Sequence, residues 1–176
     1  MSQQEITPEV FTADYTGAAG KREFFIQGRT SSEAHTFSLE KQQVALLAEK
    51  LSELLLLVDE DDTVVAAQPA RDPALQATPD EPSWRVGAIG LAYEETGDEV
   101  AVLVEPVRDS DEEDIEDIIA SDDAVRFMLR RDQVRSFILH AVAVIAEGRP
   151  LCQLCGLPMD PGGHACPASN GHHPQV

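Results

Sequence analysis

The apolar positions of the chain change their spacing at Glu40. Before it, "REFFIQG" (22–28) and "AHTFSLE" (34–40) are short aromatic and β-branched runs separated by the polar "RTSSE", which predicts two strands joined as a hairpin. After it, Val44, Leu47, Leu51, Leu54, Leu55 and Val58 recur at three- and four-residue intervals. That spacing draws one apolar stripe and predicts a helix over Glu40–Val58, which "DEDDT" (59–63) ends. Residues 66–83 carry four prolines among small and polar residues and predict a loop.

From Trp84 the short period returns. "WRVGAIGLAYEE" and "EVAVLVEPV" flank "TGD", the pattern of a hairpin pairing 84–94 with 99–107. "VRFMLRR" (125–131) predicts a further strand, and Val134, Phe137, Ile138, Ala141, Val142 and Ile145 a second helix over Asp132–Glu147, stopped at Gly148. No internal repeat stands out. Strands in hairpin order, with two long helices that do not alternate one-for-one with them, predict an α+β body. The expected arrangement is a mainly antiparallel sheet with both helices on one face, spanning 1–147, followed by a small zinc-ribbon-like tail over 148–176.

Composition narrows the class of partner. A body of this length buries enough surface to fold without staples, and 43% hydrophobic residues fit a globular protein. The net charge of −19 repels nucleic acid and anionic membrane surfaces. The opening "MSQQEITPEVF" has neither a basic nor an apolar region of a secretory signal, and no apolar run is long enough for a membrane helix. The expectation is a cytoplasmic protein that does not engage membranes.

All three cysteines lie near the C-terminus, in "RPLCQLCGLPMDPGGHACPASNGHH" (149–173). An odd, clustered set does not make a secreted disulfide framework. Cys152-Gln-Leu-Cys155-Gly156 has the form of a zinc knuckle: two thiolates three positions apart converge on one ion, and the glycine lets the backbone turn beneath it. The turn-forming "LPMDPGG" folds the chain back toward Cys166. His164, two residues before Cys166, is the favoured fourth ligand, with His172 and His173 as the other candidates. Three thiolates and an imidazole make a closed tetrahedral site for structural zinc, with no position open for a catalytic water. A redox C-x-x-C would start a helix after a strand, haem attachment would need histidine in place of Gly156, and a nucleobase deaminase would need an upstream H-x-E. None of these contexts is present.

Two further clusters carry candidate chemistry. "DSDEEDIEDIIASDD" (109–123) holds nine carboxylates but lacks the glycine and ligand spacing of an EF-hand, so it reads as a solvated acidic segment or a docking surface for a basic partner. Arg126, Arg130, Arg131 and Arg135 gather four of the thirteen basic residues within ten positions and form a possible anion site, with Glu40 or Gln43 as polar partners. The same arginines could instead pair with neighbouring carboxylates. His35 reads as a strand residue and His140 as a partly buried helix residue. No catalytic or nucleotide-binding fingerprint occurs.

"FFIQGR", "SLEKQQVALLAEKL", "VGAIGLAYEE", "FMLRRDQVRSF" and the cysteine tail, in that order, resemble an actinobacterial domain-of-unknown-function family, numbered 3090. The resemblance covers nearly the whole chain and implies a bacterial cytoplasmic protein. In the tail it matches at Cys152, Cys155, His164, Cys166, Asn170 and Gly171, and it implies His164 rather than His172 as ligand, because some members carry an aromatic residue at the latter place. "CQLC" departs mildly from a pattern in which proline often follows the first cysteine.

The sequence therefore points to a non-enzymatic zinc-binding interaction or adaptor module with a protein partner. The rival is an enzyme or binding protein for a small anionic ligand held by the arginine cluster. Nucleic-acid binding is disfavoured, since Arg149 is the only basic residue of the tail.

Overall fold

A computed structural model describes residues 4–18, 20–59, 81–108 and 123–147, together with 152–155, 159 and 166 of the tail. Among these residues, seven strands and two helices follow in the order β1 (Gln4–Ile6), β2 (Val10–Thr16), β3 (Glu23–Arg29), β4 (Ala34–Leu39), α1 (Lys41–Val58), β5 (Val86–Glu94), β6 (Glu99–Pro106), β7 (Val125–Arg130) and α2 (Arg131–Ala146). The class is α+β with antiparallel-rich sheets. Among the described residues no helix is long and apolar enough to cross a membrane.

The single expected sheet is corrected to two. β2-β3-β4 form a three-stranded antiparallel meander, and β5-β6-β7 form a second one that β1 extends by pairing parallel to β7. Each meander runs directly into a helix after a single N-cap residue, Glu40 or Arg130. Among the described residues the chain thus carries two successive βββα units, a structural repeat that is faint in the sequence. Its trace is Leu39-x-x-x-Gln43-Val44-x-x-Leu47-x-x-x-Leu51 against Leu129-x-x-x-Gln133-Val134-x-x-Phe137-x-x-x-Ala141. The apolar members of both series are buried.

The two glutamines explain why the echo survives at those positions. Gln43 Oε1 accepts from the Glu40 amide at 2.8 Å, and Gln133 Oε1 accepts from the Arg130 amide at 3.0 Å. Each supplies a partner to an amide that the first turn of a helix leaves without one. The other end of each side chain crosses to the opposite unit. Gln43 Nε2 donates to Val86 O at 3.1 Å, at the start of β5, while Gln133 Nε2 donates to Pro8 O at 2.7 Å, just before β2. Each helix start is thereby tied to the first strand of the other unit. The same exchange appears in the sheets, where Ser38 of β4 bridges in parallel to Arg85 just as β7 pairs with β1.

The core lies between these units. Phe11 of β2 sits 5.0 Å, centroid to centroid, from both Phe127 of β7 and Phe137 of α2, and Phe37 of β4 stacks at 4.1 Å on Trp84. α1 and α2 pack against each other, and α2 lies on β2. Gly28 is required where it stands, because a Cβ there would overlap the ring of fully buried Phe127. The β5–β6 turn places Asp98 at φ 54°, a left-handed conformation that aspartate tolerates.

Candidate metal centre

The short spacing of Cys152 and Cys155 is a local turn, and Cys166 returns to it from eleven positions further on. The three Sγ atoms all lie within 4.8 Å of one another. Cys152 and Cys166 are buried, and Cys155 is partly so. The Cys152 and Cys166 sulfurs are 3.8 Å apart, and none of the three cysteines is in a disulfide. A disulfide would need about 2.0 Å. Four ligands placed tetrahedrally about 2.3 Å from a zinc ion stand about 3.8 Å from each other. The three sulfurs are therefore close enough to bind a metal.

The local backbone favours the anionic form of Cys152. The amides of Cys155 and Leu154 aim at the Cys152 sulfur, Leu154 N–H at 3.4 Å, and hold that thiol below its ordinary pKa. This pattern of amides on a thiolate stabilises negative charge before any ion arrives. His164, His172 and His173 lie outside the described residues, and so does the acidic run apart from Asp123.

The predicted arginine cluster is brought together only in part, and every member meets a carboxylate. Arg126 pairs with Glu94 of β5, and Arg130 makes a two-pronged contact with Asp132 at 3.0 Å. Arg131 reaches Asp59 at 2.9 Å, Asp98 at 2.6 Å, Tyr93 Oη at 3.0 Å and the Val58 carbonyl at 3.1 Å. Arg135 meets the second oxygen of Asp59 at 2.6 Å. Burial of Asp59 pushes its pKa up, but the bonds from Arg135 and Arg131 outweigh that and hold it below the usual aspartate value. Arg131 and Arg135 thus tie the C-terminal end of α1 to the start of α2. Glu40 and Gln43 are elsewhere: Glu40 pairs with Arg85, and Gln43 holds β5.

Sequence reasoning missed one buried polar pair. His140 Nε2 lies 3.3 Å from Asp14 Oδ2, with both residues almost fully enclosed between α2 and β2. The partners are 126 positions apart, and the only signal was a lone histidine on an apolar helix face. His35 is in β4, as expected.

No curated protein and no solved structure matches the chain. A family model described as "Protein of unknown function (DUF3090)" matches residues 6–166, a span that includes both units, all three cysteines and His164, and the chain belongs to that family.

Proposed function

We propose that the chain is a non-enzymatic, cytoplasmic zinc-binding interaction or adaptor protein. Its tail would be ordered by one structural zinc bound to Cys152, Cys155, Cys166 and His164. The observation that carries this reading is the convergence of three thiols from a C-x-x-C and a distant cysteine. Soft thiolate ligands select zinc or a similar ion over hard cations. A tail with so little apolar content gains its folding free energy from the ion, on the order of 10 kcal/mol in zinc-finger peptides.

With four protein ligands the metal keeps no open position, so its role is to fix a surface rather than to activate water. The acidic body, net −19 over the whole chain, selects a basic protein partner by long-range attraction. The four arginines at 126–135 act within this reading as structural counter-ions to Glu94, Asp132, Asp59 and Asp98.

The test is the metal content of the purified native chain by inductively coupled plasma mass spectrometry, repeated on Cys152→Ser and His164→Ala. One zinc per chain, lost or much weakened in both variants, is the expected result. Retention in His164→Ala would transfer the fourth position to His172 or His173. A metal-free native protein, prepared without chelator, would refute the reading.

A further inference from the structure

The two βββα units differ at corresponding places, and the difference sets an arginine beside a surface cleft. In the second unit, Arg131 opens α2, Asp98 immediately precedes β6, and Tyr93 sits beside them on β5. Tyr93 Oη donates to Asp98 at 2.6 Å, Arg131 bonds both, and Asp59 at the end of α1 completes the cluster. Two positive arginines, Arg131 and Arg135, face two negative aspartates.

The first unit repeats the frame with one charge reversed. Lys41 opens α1 where Arg131 opens α2, and Tyr15 pairs with Phe24 in β3 as Tyr93 pairs with Val100 in β6. Glu147, the C-cap of α2, accepts from Tyr15 Oη at 3.1 Å and stands where Asp59 stands in the other unit. Immediately before β3, at the place of Asp98, the chain has Arg22. Its guanidinium lies 3.8 Å over the Tyr15 ring, and its Nε and Nη1 are shielded from solvent and meet no hydrogen-bond acceptor among the described residues. A guanidinium with two nitrogens unmatched in a partly buried setting keeps hydrogen-bonding capacity that its described neighbours do not use.

Beside Arg22 the surface opens into a cleft of about 450 Å³ lined also by Glu23, Lys41, Pro82 and the Glu40–Arg85 pair. A second cleft of about 630 Å³ shares Glu40 and Arg85 and brings in Arg108. Four of the thirteen basic residues therefore lie along the two clefts together with Glu23 and Glu40, and Arg108 pairs with Glu105 at 3.8 Å.

We infer that the cleft between Arg22, Lys41 and Arg85 binds a small oxyanion, a phosphate or carboxylate group, which supplies the negative charge that Asp98 provides in the second unit. Lys41 and the part of the Arg22 side chain that lines the cleft face the anion, and Arg85 exchanges part of its contact with Glu40 for the ligand. The exposed Glu40–Arg85 pair is weak enough for such an exchange. The site is independent of the metal tail and of the arginines at 126–135.

The test is a nuclear magnetic resonance titration of the ¹⁵N-labelled full chain with inorganic phosphate and, separately, citrate, at constant ionic strength set with chloride. The expected result is a saturable shift of the Glu23, Ser38 and Lys41 amides with at least one of the two anions. Phosphate alone, or citrate alone, would assign the class of ligand. Arg22→Gln should weaken the response about tenfold, as loss of a charge-assisted contact does, while Arg130→Gln, outside the cleft, should leave it unchanged. If Arg22→Gln does not fold, Arg85→Gln on the exposed rim carries the same test. No saturable shift with either anion, or equal affinity in a folded Arg22→Gln or Arg85→Gln, would overturn the inference.

Discussion

Replacing Gln133 by methionine tests the link between the two units most sharply. Methionine keeps the volume and the helix propensity of glutamine and removes only its polar end. Gln133 is 6% exposed and makes three polar contacts: it accepts from the Arg130 amide and donates to the carbonyls of Pro8 and Glu9. Loss of the capping contact costs about 1 kcal/mol. The Pro8 carbonyl belongs to a buried residue, and an acceptor left unsatisfied there costs about 2 kcal/mol. Glu9 is exposed, so water replaces the third contact at little cost. The expected loss is about 3 kcal/mol, a large share of the 5–15 kcal/mol of a typical domain. Gln43→Met removes the corresponding contacts, but Gln43 is only partly buried and lines an open cleft, so its loss is about 1 kcal/mol. Urea unfolding of both variants, followed by circular dichroism with the slope unchanged, measures the difference. Equal losses, or a Gln133→Met cost below about 1 kcal/mol, would refute the claim that this buried glutamine latches the units together.

Other consequences can be checked on the same footing. Gly28→Ala forces a Cβ into the ring of Phe127 and should cost about 1–3 kcal/mol in the same urea assay, with Gly90→Ala, whose nearest neighbour is Leu103 at 3.7 Å, costing less. Asp59 has its pKa lowered in the folded state by Arg135 and Arg131 against the opposing effect of burial, so its ionised form stabilises the fold above the unfolded value of about 3.9. That stabilisation should fade as pH falls through the folded pKa, and Asp59→Asn should flatten the loss of stability in that acid range. An unchanged acid profile in Asp59→Asn would contradict the assignment. Adding a chelator to the native protein should speed proteolysis within the tail and leave the melting of residues 4–147 unchanged, as read by mass spectrometry of the fragments and by circular dichroism.

The helices and two hairpins were legible because their apolar positions repeat cleanly: Val44, Leu47, Leu51 and Leu55 in α1, and Val134, Phe137, Ala141 in α2, are all buried. Their ends fell within one residue of the expected ones, at Lys41–Val58 and Arg131–Ala146. β2 was not legible, since "VFTADYT" buries Thr12 and Asp14 along with Phe11 and Ala13, and so breaks the alternation that marks a half-buried strand. Enclosure on both sides, with His140 beside Asp14, allows those polar residues inside. The repeat of the two units is faint in the sequence because what they share is a topology and a few contacts, carried by four or five residues per unit. The arginines at 126–135 are neighbours in sequence, but the structure brings them together only in part, and most of their partners arrive from distant elements. Asp59 is 72 positions from Arg131, and Asp98 is 33. Only the thiols announced their own meeting, because Cys152 and Cys155 are local and Cys166 lies just beyond a turn-rich stretch.

Zinc K-edge X-ray absorption on the native protein tests the central claim most directly, because it reads the ligand shell rather than the presence of metal. The expected spectrum fits three sulfur scatterers at about 2.3 Å and one nitrogen at about 2.0 Å, with one sulfur lost in Cys166→Ser and the nitrogen replaced in His164→Ala. A shell of oxygen and nitrogen alone, or a spectrum indifferent to Cys166→Ser, would contradict the account of the tail as a closed zinc site.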